Sequence, residues 1–395
     1  MRRWLEEFEE FAIEVILDRR HGRRAALLRS VLKVFSHLYK AIVLLRLWLF
    51  KKRIFRQRQV GCMVISIGNL TVGGTGKTPV VEKFARALQS GGRRVAILSR
   101  GYKSKKLPLL KRWIQHFKTR EYKPRIVSDG RSILLDSSMA GDEPFMLATN
   151  LKDVVVLVDK NRVASALYAI DKMNCNTLLL DDGMQFIHLR HRLDIVLVDR
   201  QAPFGNEHLL PRGTLREPPE NLKRAHYIFI TKSTPEGNAE LIERIRKYNR
   251  TAEIIECAHR PQYLEHVHTG ERLPLDFLKG KFIGAFSAIA SPESFERALR
   301  EIGANIQISR HFADHHRFTE KELKNFVKRC VNRDLAAIIT TEKDSVRLPR
   351  LDQWEIPVYF LRVEIEIYTG HQSWQNLIDR ICKPQPFMPP ERYFA

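Results

Sequence analysis

Acidic residues are absent from one long stretch of this chain: between Arg19 and Val60 there are thirteen lysines and arginines and no aspartate or glutamate. The six acids of the first sixty residues all lie at or before Asp18. Cysteine is scarce and scattered. Cys62, Cys175, Cys257, Cys330 and Cys382 form no C-x-x-C pair, which argues against a zinc cage or a redox motif and fits a reduced, cytosolic compartment. No repeat or low-complexity tract occurs, so the chain does not read as disordered. The opening MRRWLEEFEE is acidic where a cleavable signal needs a cationic segment and then an apolar one, so no signal peptide is expected. Long apolar runs are missing too. The nearest to one, SVLKVFSHLYKAIVLLRLWLF from Ser30 to Phe50, is interrupted by Lys33, Lys40 and Arg46, and a cation at the bilayer centre costs ~2.5–3.5 kcal/mol. A membrane-spanning helix is therefore not expected.

What is present is a chain of 395 residues, 44% hydrophobic and 28% charged, long enough for two packed domains. Its formal net charge of +22 favours an anionic partner, whether nucleic acid, a phospholipid surface or a phosphorylated substrate. Where the cations lie is more telling, because the N-terminal segment that concentrates them is also apolar. There Arg29, Lys33, Ser36, His37 and Lys40 recur at spacings of three and four, while Leu32, Phe35, Leu38, Tyr39, Ile42, Leu45 and Leu49 lie largely away from that face. Such a helix suits a membrane interface, with its cations on anionic lipid phosphates and Phe35, Trp48 and Phe50 in the acyl boundary. The plainer alternative is a helix packed on its own domain with its cations solvated.

After Val60, short apolar runs at 63–67, 95–99, 154–158, 177–180, 195–198 and 227–231 alternate with helical stretches such as 80–89 and 162–172. Apolar runs of this kind, separated by helices, predict an α/β fold with a doubly wound, mostly parallel sheet covered on both faces. A second, smaller α/β lobe is expected from strands at 282–286, 337–340 and 358–361 and helices at 292–302, 320–331 and 372–381. The expected organisation is a basic membrane-associating segment over 1–60, a nucleotide-binding domain over 61–235, a connection over 236–255 and a C-terminal lobe over 256–395. The basic and aromatic insertion at 103–123 reads as a surface excursion.

The strand at 63–67 runs into Thr71-Val72-Gly73-Gly74-Thr75-Gly76-Lys77-Thr78, and a helix opens near Pro79, a residue suited to a first helical turn. A Gly-rich loop between a strand and a helix cradles phosphates: backbone N–H groups face the anion, Lys77 meets the β/γ oxygens, and the Thr78 hydroxyl ligates Mg²⁺. The strict pattern wants glycine where Thr71 stands. A metal-bound nucleotide such as ATP also needs a carboxylate at the end of a neighbouring buried strand. Asp181 and Asp182, closing the run TLLLDDG, supply it, one to hold the metal and the other to order the site. A second acidic turn, Gly141-Asp142-Glu143-Pro144, opens a helical stretch. A histidine-rich element, Ala313-Asp314-His315-His316-Arg317-Phe318, is weak as a zinc site, but one of its histidines beside Asp142 would suit proton removal from an acceptor hydroxyl.

Taken in order, "GNLTVGGTGKTP", "SRGYKSK", "GDEP", "DDGMQFIHLRHRLDIVLVD", "LLPRGTLREP", "DHHRF" and "TEKD" resemble the motifs of the tetraacyldisaccharide 4'-kinase family of lipid A biosynthesis, over about 60–362. Members of that family carry threonine where the strict loop wants glycine, so Thr71 fits the resemblance. It implies transfer of the ATP γ-phosphate to the 4'-hydroxyl of a tetraacyldisaccharide 1-phosphate at the cytoplasmic face of a bacterial inner membrane. Carried over motif by motif, it implies nucleotide and Mg²⁺ at Lys77 and Thr78, and a metal site at Asp181 and Asp182. Asp142 becomes the base, assisted by His315. Arg100, Arg162 and Arg216 suit the substrate phosphate or ATP, because a guanidinium fork binds phosphate bidentately, although pairing within the chain is the alternative for each. The "TEKD" element, Thr341 to Asp344, has no role legible from its chemistry. Departures from the family pattern are Met184 where an aromatic is common, the diluted basic cluster Phe186-Ile187-His188, the insertion at 103–123, and the acidic extension over 1–18.

A membrane-bound regulatory ATPase that cycles by dimerising is the rival reading. Its loop carries K-G-G-x-G-K-[ST], with a lysine that reaches into the partner subunit, and this chain has Val72 there. No nucleic-acid module accompanies the net charge either. Neither nucleic acid nor a protein partner is expected.

Overall fold

The structure, a computed structural model, describes residues 2–101, 122–349 and 354–383; all but the last two residues of the insertion at 103–123 lie outside the described residues. In chain order the first strands are β1 (Met63–Asn69), β2 (Val95–Ser99), β3 (Arg125–Asp129), β4 (Val155–Val158), β5 (Thr177–Asp181), β6 (Leu193–Asp199) and β7 (Tyr227–Thr231). There follow β8 (Glu253–His266), β9 (Arg272–Leu273), β10 (Phe282–Ser287), β11 (Asn305–His311), β12 (Ala337–Thr341) and β13 (Val358–Thr369). They form one sheet in the order β11-β10-β12-β13-β8-β7-β6-β1-β5-β2-β4-β3, with β9 on β8. The fold is α/β and the sheet mostly parallel, as expected; among the described strands the antiparallel pairs are β8 with β13, β8 with β9, and β3 with β4.

β1 lies between β6 and β5, and Ile67 pairs with Asp181. That register puts the loop after β1 beside the acids that end β5. The chain leaves β1 for β2 on one side and reaches β6 on the other only later, which opens a crevice at the carboxyl ends of these strands. The helix Lys77–Ser90 carries the loop's far end and packs its inner face, with Val81, Phe84 and Leu88 fully buried, against β1 and its neighbours. The C-terminal helix His371–Cys382 returns to this same layer, where Trp374 meets Phe84 edge-to-face at 4.9 Å.

The sequence pattern assigns no strand to 253–266 or 305–311, yet β8 is 14 residues long. Its start pairs parallel with β7 and the rest pairs antiparallel with β13, so these two strands join the two halves into one sheet. Pro261 hides β8, since proline within a run argues against a central strand. It is tolerated at a register shift: Val363 pairs with Pro261 and Arg362 with Tyr263, which leaves Gln262 extra.

The N-terminal segment forms two helices, Arg2–Ile16 and Arg23–Lys51. Asp18 behind the first is ion-paired to Arg212 at 2.7 Å and to Arg29 at 3.7 Å. Along the second, the less exposed positions include Ala25, Arg29, Leu32, Ser36, Tyr39, Val43, Arg46 and Phe50, a repeat of four and three that faces the body. Arg29 and Ser36 thus leave the expected polar face and turn inward. The outward positions include an apolar stripe, in which Leu27, Val34, Phe35, Leu38, Ile42 and Leu45 are each more than half exposed, while Lys33, His37 and Lys40 stay exposed beside it. No helix among the described residues is long and apolar enough to cross a membrane.

Candidate functional site

The loop from Leu70 to Gly76 is built by backbone contacts at both ends. Val72 N–H donates to Thr214 O at 2.7 Å and Arg216 N–H to Leu70 O at 2.7 Å, so the segment around Leu215 clamps the loop's first half. Thr71 is buried there, and Asn69 Nδ2 donates to its carbonyl at 2.8 Å. Thr231 Oγ1 holds the carbonyl of Thr75 at 2.9 Å. Between these points Val72 is exposed, and the space beyond Gly73 and Gly74 is open. Gly76 caps the helix with φ 76°, in the left-handed region, and Thr78 is buried in the first turn.

Gly76 is required for a second reason, invisible in sequence. A Cβ built on it would lie 2.3 Å from His259 Cε1, on β8. Burial, with the nearby Lys232 charge, pushes His259 down to about 4, so a neutral ring closes this side of the loop. Gly76→Ala should lower the melting temperature, because the left-handed conformation alone costs ~1–2 kcal/mol for a residue with a Cβ. It should also weaken any upward shift in melting temperature produced by a saturating nucleoside triphosphate. An undiminished shift would mean that the His259 ring gives way freely.

Lys77 Nζ lies 3.2 Å from Asn69 Oδ1 and 3.6 Å from Asp182 Oδ1. Asp182 in turn accepts from both ends of the Arg216 fork, each at 2.8 Å. Burial opposes its ionisation most, but the Arg216 hydrogen bonds and the charges of Lys77, Arg216 and Arg162 prevail and hold the carboxyl well below its usual range. Arg162 is buried and donates to Asp182 O at 3.0 Å. Arg100 is exposed at the end of β2, and its charge acts on Arg162. Arg162 and Arg216 are therefore paired inside the chain at the rim of the loop.

Asp181 has the opposite environment. Ser99 Oγ donates to its Oδ2 at 3.1 Å, while its buried Oδ1 accepts no hydrogen bond. Burial, then the charges of Glu143 and Asp182, push it up to about 6. Glu143 follows Asp142, so a charge at the start of the helix Asp142–Asn150 acts on the end of β5.

At that helix start Asp142 meets His315, as the spacing alone could only suggest. Asp142 Oδ2 lies 3.0 Å from His315 Nδ1 and 2.8 Å from Arg347 Nε. Its Oδ1 is buried, accepts no hydrogen bond, and faces Arg317 at 3.7 Å. Burial is the largest influence and opposes ionisation; the His315 hydrogen bond and the charges of Arg347, His315 and Arg317 outweigh it, holding the carboxyl below its ordinary range. Lys343 Nζ stands 3.3 Å from His315 Nε2, which suits the tautomer that donates from Nδ1 to Asp142.

Sequence pattern misses Arg347, whose side chain is wholly buried. The "TEKD" element explains it. Asp344, also fully buried, accepts from Arg347 Nη1 at 3.0 Å, from Ala288 N at 3.0 Å and from Thr341 Oγ1 at 2.6 Å. Ala288 O in turn accepts from His315 N at 3.2 Å. One buried carboxylate thus fixes both the guanidinium and the backbone that present His315 to Asp142.

The helix Arg23–Lys51 reaches this region as well. Ser36 Oγ donates to Leu209 O at 2.9 Å, Tyr39 OH to Arg216 O at 3.0 Å, and Arg46 Nη2 to Gln185 O at 2.7 Å. Arg46, which interrupts the apolar run in sequence, is therefore an internal tie and not a lipid contact.

A family profile described as Tetraacyldisaccharide-1-P 4'-kinase matches residues 28–383. A protein of Syntrophus aciditrophicus named tetraacyldisaccharide 4'-kinase is 36% identical over 364 residues, covering 89% of this chain and 93% of that protein. One of Anaeromyxobacter dehalogenans with the same name is 38% identical over 332 residues, covering 83% and 84%. Among solved structures, LpxK from Aquifex aeolicus in complex with ATP superposes with a TM-score of 0.70 at 29% identity, covering 90% of this chain and 99% of that one.

Proposed function

The chain belongs to the tetraacyldisaccharide-1-P 4'-kinase family, and on that premise we propose that it uses ATP to phosphorylate the 4'-hydroxyl of a tetraacyldisaccharide 1-phosphate, giving lipid IVA for lipid A and lipopolysaccharide. One observation carries the reading: Asp142 has one oxygen gripped by His315 and Arg347 while the other is unbonded. The 4'-oxygen attacks the γ-phosphorus, the bond to the ADP oxygen breaks, and the hydroxyl proton passes to Asp142 Oδ1. His315 holds the carboxylate in place. Lys77 turns from Asp182 toward the phosphates, and the loop N–H groups of 72–78 cradle them. Exposed Arg100 suits the substrate phosphate or ATP; Arg162 and Arg216, already paired within the chain, would reach it only on release from Asp182.

Mg²⁺ fits the same place. Among the described residues no three acidic, histidine or cysteine side chains make a cage, and Mg²⁺ needs none, since one or two carboxylates and the substrate phosphates suffice. Asp181, with its unbonded buried oxygen and raised carboxyl, and the Thr78 hydroxyl would hold it, with Asp182 ordering the site. When bound, the ion neutralises charge on the β- and γ-phosphate oxygens.

The outward apolar strip of the helix Arg23–Lys51 supports peripheral or monotopic attachment to anionic lipid at the cytoplasmic face of the inner membrane, since soluble proteins rarely expose so continuous an apolar patch. Purified protein in detergent should move label from γ-labelled ATP to tetraacyldisaccharide 1-phosphate; label released only as free phosphate would sink the kinase reading. Replacing Leu38, Ile42 and Leu45 together by glutamate should abolish co-sedimentation with anionic vesicles and leave the fold intact, because none is buried. Retained sedimentation would mean another surface binds.

A further inference from the structure

Resting on that reading, we propose that Arg362 is a positioning residue that fixes the ATP loop relative to the Asp142–His315 pair. Three elements carry the chemistry, and each sends one side chain into a cluster built around this guanidinium. Glu82 lies one turn beyond Thr78 on the helix of the phosphate loop; Glu342 opens the turn that carries Lys343 and Asp344; Asn150 ends the helix that Asp142 begins.

The contacts interlock. Arg362 Nη2 donates to Glu82 Oε1, and its Nη1 donates to Glu342 Oε1 at 2.6 Å. Asn150 Nδ2 bridges the same two carboxylates, 3.1 Å from Glu82 Oε2 and 2.6 Å from Glu342 Oε1. Arg362 and Glu82 are each about 95% buried. The desolvation of buried charges often offsets their attraction, so such a cluster is weak evidence for stability; fixing one arrangement over others is a better-attested use. A second feature points the same way. The register shift between β8 and β13 falls at Arg362, and bulges of this kind re-aim a side chain near functional sites.

A guanidinium spans both carboxylates, whereas a lysine ammonium is a single point charge. Arg362→Lys keeps the charge and loses the span. It should lower kcat for labelled phosphate transfer by about ten- to hundredfold, as small misplacements do, while KM for ATP moves less than about threefold. Asn150→Ala cuts the Asp142 limb without unbalancing charge, and should lower kcat by about tenfold with ATP affinity kept, which covers the case in which the arginine variant fails to fold. A purely stabilising role predicts instead an unchanged kcat per folded molecule well below the melting temperature. The decisive measurement is a cycle with Asp142→Asn: if Arg362 acts by placing Asp142, its substitution costs little once Asp142 is already disabled. A full Arg362 penalty in that background, or kcat within about threefold of wild type for both single variants, would overturn the inference. Wild-type enzyme that labels no acceptor removes the kinase reading itself; wild-type transfer with unaffected variants overturns this inference alone.

Discussion

Asp142→Asn is expected to lower kcat for transfer to the 4'-hydroxyl by ~10²–10⁴, the usual worth of general base catalysis. An amide keeps the size of the side chain and an oxygen for His315 to bond, but it takes up no proton. The fold should persist, because Arg347 retains its second carboxylate, Asp344, at 3.0 Å. Single-turnover transfer measured beside a thermal melt separates the two effects; turnover within about tenfold of wild type would show that another group removes the proton. The pH dependence has a definite sign. Asp142 is held below its ordinary value, so its stabilising contribution is complete above the unfolded value near ~3.9 and is lost as pH falls through the lower folded value. At neutral pH wild type and Asp142→Asn should therefore differ in melting temperature by a constant amount, and the gap should close only in acid.

The second large effect is expected at Lys77. Lys77→Met should lower kcat by ~10²–10³, comparable to removing one preorganised donor from a developing charge. Structure matters here because Lys77 has two polar neighbours that its loss could strand. Asp182 keeps both Arg216 hydrogen bonds at 2.8 Å, and Asn69 keeps its donation to Thr71. The variant should fold and melt near wild type while losing transfer. Activity within about tenfold would mean that Arg216 or Arg162 meets the phosphates in its place.

What could be read in sequence was whatever the chain carries contiguously. The phosphate loop lies in one strand–loop–helix unit, and Asp181 and Asp182 close one apolar strand, so their spacing and context suffice. Asp142 and His315 are legible as elements of two separate motifs, but only folding brings them to 3.0 Å. Arg347 and Arg362 carry no such signal: in a chain this basic, one arginine looks like another until burial singles it out. β8 was concealed by Pro261 and by its mixed polarity, which reflect a strand whose two ends serve different halves of the sheet. In the helix Arg23–Lys51 the expected polar face holds only in part: Lys33, His37 and Lys40 are exposed, whereas Arg29 and Ser36 turn to the body. Periodicity finds its stripes but not which one the body uses, and here the body takes Ser36, Tyr39 and Arg46 for their hydrogen bonds while the aliphatic stripe is left outside.

The seating of that helix has a consequence for how an acceptor would be supplied on the proposed function. Its inner side chains hold the carbonyls of Arg216 and Gln185, so with its outer strip in lipid the reaction centre would stand behind the acyl boundary by roughly one helix diameter, about 10–12 Å. A glycolipid lifted by that distance brings its sugars to the site while its tails stay in the bilayer, which avoids the ~0.8 kcal/mol per methylene of full extraction into water. The encounter would then take place by lateral diffusion in a plane, and turnover should follow the mole fraction of acceptor in the vesicle or micelle, not its concentration in bulk solution.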